Sequence, residues 1–211
     1  MKKYTVLCMG LLFCSISLLA QYQDATEVQK KEIIDRITQT AGDMNSMQCE
    51  FTQVKELTFM DDKVTSEGKM YFKKPNRIRW EYTKPTPYIF SMDGQNIRMT
   101  SGGNKTTVPA NQSKLFKEIS AVMVGGVSGA GLIDSPDFDT KFFVGSNDYR
   151  IVLSPRKKEM KNMFSAVQLY VGKPDNRIRS VELIEQSGDK MTVILKNVQI
   201  NTSINDELFT Q

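Results

Sequence analysis

The chain has no histidine among its 211 residues, and this absence excludes much enzymatic chemistry. Histidine is the commonest general base, the partner of nucleophilic serine or cysteine, and a frequent zinc ligand. Serine–histidine and cysteine–histidine hydrolases and imidazole-bound zinc are therefore excluded. Catalysis by paired carboxylates, or by serine with lysine, is compatible with the composition, but no Gly-x-Ser-x-Gly motif indicates it. We predict that the protein is not an enzyme and carries no metal or other cofactor.

Cysteine is scarce, with three residues in the whole chain. Cys8 and Cys14 lie in the N-terminal segment, which leaves Cys49 alone in the rest. A lone cysteine forms no internal disulfide. The stability of the fold must therefore come from a hydrophobic core.

Long apolar runs are lacking except near the N-terminus. A positively charged start is followed by an apolar stretch over 6–19 and by the small residue Ala20. This order predicts a cleaved secretory signal peptide over 1–20 and a single domain over 21–211. The competing interpretation is an uncleaved anchor, although the apolar run does not comfortably reach the ~20 residues of a membrane span.

An excess of charge of one sign is also lacking. The formal net charge is +4, and it falls to about +2 once Lys2 and Lys3 leave with the predicted signal peptide. That balance, together with export, argues against nucleic acid as a partner. With 40% hydrophobic and 25% charged residues, the composition is that of an ordinary globular protein.

An amphipathic helix is predicted at the start of the domain. Asp24 and Glu27 have the spacing of a capping box, and Gly42 is a natural stop. The apolar stripe of this helix consists of Val28, Ile33, Ile34, Ile37 and Ala41. Such a helix requires an apolar surface to pack on.

Strands are predicted for most of the remaining chain. The clearest alternation lies over 77–83, where Ile78, Trp80 and Tyr82 share one face. Asp93-Gly94 is a strong hairpin signal. About 11 strands are predicted, over 48–57, 64–73, 77–83, 88–92, 97–99, 105–108, 140–145, 149–154, 163–171, 177–186 and 190–200.

A second helix interrupts the strands over 113–124, where apolar residues recur at helical spacing. The glycine-rich stretch 125–131 follows it directly. Such a stretch fits a hinge, and it fits a simple helix stop with a long loop equally well. The predicted class is α+β, with a strongly curved antiparallel sheet and two principal helices against it.

A forty-residue region carries a family resemblance through the order and spacing of several short motifs. These are Glu50-Phe51-Thr52-Gln53, Gly68-Lys69-Met70-Tyr71-Phe72-Lys73-Lys74-Pro75-Asn76, Ile78-Arg79-Trp80-Glu81-Tyr82, Pro85 and Asp93-Gly94. In these motifs the chain resembles the LolA-like family of outer-membrane lipoprotein carrier proteins. Weaker similarity continues through 195–198 and 204–209.

The resemblance implies a fold and a function. The family fold is an unclosed β half-barrel of about 11 strands, in which an N-terminal helix and a central lid helix cover a hydrophobic cavity. The implied function is that of a monomeric periplasmic chaperone. It receives triacylated lipoproteins from an ATP-driven releasing complex in the inner membrane and carries them toward an outer-membrane acceptor. The alternative is a carrier of the same fold for another lipid or glycolipid.

The resemblance turns the apolar faces of the strands and of the lid helix into the expected binding surface. The predicted ligand-binding residues are Phe51, Met70, Phe72, Ile78, Trp80, Tyr82, Phe90, Met92, Ile97, Met99, Leu115, Phe116, Ile119 and Met123. Methionine is flexible and polarizable, which suits a lining that adapts to acyl chains. The competing interpretation of these residues is ordinary hydrophobic core.

Lys74 occupies the position at which family members often carry an arginine that latches the lid by binding backbone carbonyls. Lysine lacks the planar fork of arginine, so Arg77 or Arg79 could serve instead. The basic residues around this turn, and a second basic cluster over 156–161, fit a solvated face or a contact with anionic headgroups or an acidic partner. A serine–lysine or carboxylate hydrolase and a structural envelope protein with a filled interior are the competing functions.

Overall fold

The structure, a computed structural model, describes residues 22–110, 131, 133 and 135–210. The predicted signal peptide and the predicted helix over 113–124 lie outside the described residues, as does all of the glycine-rich stretch except Gly131.

A single antiparallel sheet of twelve strands dominates the described part of the chain. The order of the strands across the sheet is β1-β8-β9-β10-β11-β12-β2-β3-β4-β5-β6-β7. The strands are β1 Gln23–Asp24, β2 Ser46–Glu56, β3 Lys63–Lys73, β4 Arg77–Lys84, β5 Tyr88–Met92, β6 Asn96–Ser101, β7 Asn104–Pro109, β8 Phe138–Val144, β9 Asp148–Pro155, β10 Phe164–Gly172, β11 Ile178–Glu185 and β12 Lys190–Ile200. Because β1 and β7 stand at opposite ends of this order, the sheet is unclosed.

The sequence predicted one strand fewer than the twelve in the described part of the chain. Strands β2 to β12 correspond to the 11 predicted ones, and β1 is additional. In β1, Gln23 pairs with Val144 and Asp24 with Phe143. Two polar residues show no apolar alternation, so no sequence signal indicates this strand.

Helix α1 spans Glu27–Asp43, and its cap differs from the prediction. Thr26, not Asp24, is the N-cap, and it forms a capping box with Gln29. The Thr26 N–H donates to Gln29 Oε1 at 2.9 Å, and the Gln29 N–H donates to Thr26 Oγ1 at 3.3 Å. Asp24 lies in β1, where the backbone is extended. The helix therefore begins only after Thr26, two residues further along the chain.

The apolar stripe of α1 is buried from Ile33 onward. Ile33, Ile37 and Ala41 are buried, and Ile34 packs against the same core. Val28, which was predicted to belong to the buried stripe, is 79% exposed. The helix therefore anchors itself through its second and later turns.

The described residues form two hydrophobic clusters on the one sheet. The first holds the α1 residues Ile33 and Ile37 together with side chains of β8 to β11. The second consists mainly of side chains from β2 to β6 and β12. Two short elements complete the description, the helix α2 at Lys158–Lys161 and a 3-10 helix at Asp206–Phe209. None of the helices in the described ranges has the length and apolarity needed to cross a membrane.

Candidate functional site

Two rows of apolar side chains run across neighbouring strands β3 to β6. In the first row, Met70 pairs with Trp80, Trp80 with Phe90, and Phe90 with Met99. The second row consists of Phe72, Ile78, Met92 and Ile97. Successive side chains of a strand point to opposite faces, so residues two apart share a face. Both rows therefore lie on one face of the sheet, called here the apolar face, and Phe51 and Tyr82 join it from β2 and β4.

The apolar face is a packed cluster. Of the predicted strand residues, all except Met99 belong to this cluster or pack against it, and Tyr82 and Phe90 are its partly buried members. The fully buried ones, 0–8% exposed, are Phe51, Met70, Phe72, Ile78, Trp80, Met92 and Ile97. Met99 continues the first row in register but is only half-buried. The predicted residues of the lid, Leu115, Phe116, Ile119 and Met123, lie outside the described residues.

Several members of the cluster were missed in the sequence. These are Met44, Met47, Cys49, Val193 and Leu195. Met47, Cys49 and Phe51 alternate along β2, and Val193 and Leu195 alternate along β12. The same period of two that revealed the stripe of β4 would have identified these four strand residues, whereas Met44 is the C-cap of α1 and follows no strand alternation.

Aromatic rings concentrate at the β2–β4 end of the apolar face. The Phe51 ring lies 4.8 Å from the Trp80 ring and 5.0 Å from the Tyr82 ring, centroid to centroid. The Tyr82 hydroxyl donates to Gln53 Oε1 at 2.9 Å. Burial raises the pKa of Tyr82 to about 12, so this hydroxyl stays protonated at any ordinary pH.

Cys49 is a free cysteine within the same cluster and is 6% exposed. Burial raises the pKa of its thiol to about 12, and the charge of Glu50 adds to the effect. Only the thiolate is nucleophilic or binds metal strongly. Cys49 is therefore an apolar packing residue. In the described ranges, no group of three or more cysteine and carboxylate side chains could hold a metal ion.

Lys74, the predicted latch, binds a backbone carbonyl. Its Nζ lies 2.5 Å from the Gly42 oxygen in the last turn of α1, and its own N–H donates to the Asn45 oxygen at 2.9 Å. A cation is favourable at the C-terminal end of a helix. Lys74 thus ties the turn between β3 and β4 to α1, while its action on a central lid stays a prediction.

The opposite face of β4 to β6 holds the C-terminal segment. Arg79 is 5% exposed, and its Nη1 donates to the Leu208 oxygen at 3.0 Å while its Nε pairs with Glu81 at 3.1 Å. Arg98 donates to the Phe209 oxygen at 3.4 Å, and Phe209 is fully buried. The interpretation of Arg79 as part of a solvated face is therefore wrong.

Two other basic residues, on either side of the turn between β3 and β4, bind one carboxylate. Lys73 Nζ and Arg77 Nη1 each lie 2.6 Å from an oxygen of Asp206, and Lys73 also donates to the Ile204 oxygen at 3.1 Å. Hydrogen bonds from Lys73 and Arg77 hold the pKa of Asp206 below its ordinary value. These contacts fasten the 3-10 helix to the sheet.

The second basic cluster is partly neutralised within the chain. Arg156 Nη2 lies 2.5 Å from Asp139 Oδ1, and Lys157 Nζ lies 2.7 Å from Asp137 Oδ2. The bond from Arg156 lowers the pKa of the exposed Asp139. These pairs reduce the charge that the cluster offers to an anionic partner.

Comparison with known proteins identifies relatives of this chain. The model of the family described as "Outer membrane lipoprotein carrier protein LolA" matches residues 42–211. A protein of Pseudomonas putida (strain GB-1) named outer-membrane lipoprotein carrier protein is 22% identical over 181 residues, 84% of this chain and 82% of that protein. A protein of the same name from Methylibium petroleiphilum is 26% identical over 162 residues, 75% of this chain and 74% of that protein.

A solved structure shares the architecture. The crystal structure of an uncharacterized conserved protein from Thermus thermophilus superposes with a TM-score of 0.53 at 11% identity, covering 86% of this chain and 92% of that one. At that identity the likeness concerns the fold alone.

Proposed function

The chain belongs to the LolA family of outer-membrane lipoprotein carrier proteins, and from that premise we propose that it is a periplasmic lipoprotein carrier. In this proposal it shields the acyl chains of lipoproteins released from the inner membrane and transports them toward the outer membrane. Residues 1–20 direct export and are removed. An ATP-driven complex supplies the cargo, an outer-membrane acceptor receives it, and the carrier works as a monomer.

The cost of exposing acyl chains to water explains why a carrier is needed. Each methylene group gains about 0.8 kcal/mol on leaving water, so one long acyl chain in water costs on the order of 10 kcal/mol. A soluble intermediary must supply a comparable apolar surface. No bond is made or broken in this task, so no catalytic group is required.

The apolar face is the observation that supports the proposal most directly. Its two rows extend over four neighbouring strands and continue onto β2 and β12. Helix α1 contributes Ile33 and Ile37 to the other cluster of the sheet, and only its C-cap Met44 belongs to the cluster of this face. The side chains of this cluster are apolar and aromatic, and Tyr82 and Trp80 are the aromatic ones that carry a polar group.

A release assay tests the proposed function. Purified protein lacking residues 1–20 is added to energised spheroplasts, and the medium is analysed for triacylated lipoprotein bound to it. Stoichiometric release supports a lipoprotein carrier. If no lipoprotein is released but other lipid copurifies with the protein, the cargo is another lipid. If neither is found, the carrier function is wrong.

Phe90→Glu is the sharpest variant for this assay, with Ile89→Glu as its matched control. Both residues are half-buried in β5, but they point to opposite faces of the sheet, and only Phe90 packs against the apolar face. A charge on that face must be desolvated by bound acyl chains. We expect release to fall at least about tenfold for Phe90→Glu and to change little for Ile89→Glu. Equal release by the two variants, both shown to be folded by circular dichroism, contradicts the proposed surface.

A further inference from the structure

Trp80 carries a buried hydrogen-bond donor that has no partner. It is the one tryptophan of the chain, it is 8% exposed, and its Nε1 makes no hydrogen bond within the described ranges. Its ring lies in the first row of the apolar face, between Met70 and Phe90 in register. Phe51 packs against the indole ring and fixes its position.

An unsatisfied buried donor costs about 1–3 kcal/mol, so its retention requires an explanation. In the part of the chain that the structure describes, the other unpartnered buried polar atoms belong to Ser91, Arg150, Asn176, Arg177 and Thr202. None of these residues belongs to the cluster of the apolar face. Trp80 is thus distinguished by its location on the surface proposed to bind cargo.

We propose that Trp80 Nε1 donates a hydrogen bond to an acyl carbonyl oxygen of the bound cargo. This inference rests on the proposed function and deepens it, because it names the chemical group at which the acyl chain is held. The indole N–H is a donor only, so the ligand must supply an acceptor. An ester carbonyl joins two acyl chains of a triacylated lipoprotein to its glyceryl group, and an amide carbonyl joins the third to its N-terminal cysteine.

The surroundings of Trp80 favour a neutral acceptor. The cluster around it consists of apolar and aromatic side chains, and the hydroxyl of its neighbour Tyr82 already donates to Gln53. A phosphate or carboxylate at this place would lose its hydration without a countercharge, which is far more costly than burying a carbonyl that accepts one bond. The carbonyl end of the chain then lies at Trp80, and the hydrocarbon follows the apolar rows.

The main comparison is between two ligands that differ only in their ester carbonyls, and a third probe carries an amide carbonyl. The probes are a short-chain diacylglycerol, the corresponding dialkyl glycerol diether, and a fatty amide of the same chain length. Calorimetry measures their affinities for the wild type, for Trp80→Phe, and for Tyr71→Phe. Tyr71→Phe is the control. It removes a hydroxyl from β3 on the face of the sheet opposite to Trp80, where Tyr71 pairs with Arg79.

We expect the wild type and Tyr71→Phe to bind the diester about tenfold more tightly than the diether, since one hydrogen bond distinguishes the two ligands. In Trp80→Phe this ratio should fall to about one. Binding of the amide that is weaker in Trp80→Phe than in the wild type supports the same donor. A wild type that binds all three probes equally overturns the role of Trp80 while leaving the proposed function intact. A wild type that binds none of them overturns both.

A spectroscopic measurement on the wild type alone gives a test that does not depend on whether Trp80→Phe folds. Because Trp80 is the single tryptophan, ultraviolet resonance Raman spectra of the wild type report the hydrogen bonding of this one indole N–H. We expect the N–H-sensitive band to shift when the diester is bound and to keep its position with the diether. The same band position with both ligands contradicts the proposal.

Discussion

Gly68 lies at a point of the apolar face where the packing leaves no room for a side chain. A Cβ built on it would lie 2.1 Å from the Glu81 oxygen and 2.7 Å from the Phe51 ring. The pairing of β3 with β4 shifts register between Glu67 and Gly68 at the same point. The absence of a side chain allows β4 and the Phe51 ring to approach the backbone of β3 closely.

Gly68→Ala should therefore destabilise the protein, and Gly42→Ala should not. Relieving the overlap at Gly68 requires movement of backbone or of a packed ring, at a cost of about 3 kcal/mol. A Cβ at Gly42 would meet nothing within 4 Å, and alanine favours the helix. Urea unfolding measures both variants. Equal midpoints for the two would show that the sheet relaxes around Gly68 freely.

Phe51, Trp80 and Tyr82 show how far residue-level prediction reached. The alternation of β4 placed Trp80 and Tyr82 on one face, the family resemblance added Phe51, and the structure places all three in one cluster. Sequence could not show that Trp80 Nε1 lacks a partner while the Tyr82 hydroxyl has one, because Gln53 reaches Tyr82 from another strand. Hydrogen-bond satisfaction depends on neighbours across strands, and the alternation of one strand does not reveal them.

At the scale of elements, Asp93 fixes the hairpin between β5 and β6. Its Oδ1 accepts from the Gln95 and Asn96 N–H groups at 2.8 and 2.7 Å, and its Oδ2 pairs with Arg98 at 2.6 Å. Burial raises the pKa of this carboxyl, but the bonds from Asn96, Arg98 and Gln95 outweigh it and lower the pKa from 3.8 to about 2. The Asp93-Gly94 signal in the sequence correctly predicted this turn.

Asp93→Asn should destabilise the protein by about 1–2 kcal/mol at neutral pH, because it removes the charge that these donors favour. The pKa of this carboxyl is lower in the folded state than in the unfolded state, so its ionised form stabilises the fold. This stabilisation is fully present above the unfolded-state pKa and is lost as the pH falls through the folded-state pKa. The difference between wild type and variant should thus be constant above about pH 5 and vanish toward pH 2. Unfolding free energies across this range measure it. Exposed Asp62→Asn is the control, and a pH-independent difference for Asp93→Asn would contradict the assignment.

The elements themselves were predicted well where apolar residues repeat and poorly where polar contacts decide. The 11 predicted strands were all found. The start of α1 was misplaced because Asp24 with Glu27 and Thr26 with Gln29 have the same capping spacing. Only the pairing of Asp24 with Phe143, 119 positions along the chain, decides between them. The attachment of the 3-10 helix through Arg79 likewise depends on contacts distant in sequence.

At the scale of the whole molecule, one continuous sheet carries two separate hydrophobic clusters. Trp80 belongs to the cluster of β2 to β6, and Ile37 of α1 belongs to the other. Strands β11, β12 and β2 are hydrogen-bonded neighbours, so the sheet joins both. We expect the two clusters to unfold together, because a single domain commonly unfolds in one cooperative transition.

Ile37→Ala tests this coupling. Removing its side chain from a site that is 1% exposed should cost about 3 kcal/mol. Tryptophan fluorescence, which reports the distant cluster, and far-ultraviolet circular dichroism should then show the same lowered midpoint in urea. Val28→Ala in the same helix removes a side chain that is 79% exposed and should leave the midpoint unchanged within about 0.5 kcal/mol. Separate transitions for the two probes would mean that each half unfolds on its own.

The unclosed sheet also bears on how copies of the protein behave toward one another. An outer strand exposes unpaired backbone groups onto which a second chain can add, which begins polymerisation. In the described part of the chain, the two outer strands are β1, with only two residues, and β7, which carries Lys105 and ends at Pro109. A short strand, a lysine and a proline each discourage strand addition. These features disfavour the addition of a second chain at either outer strand of the described sheet.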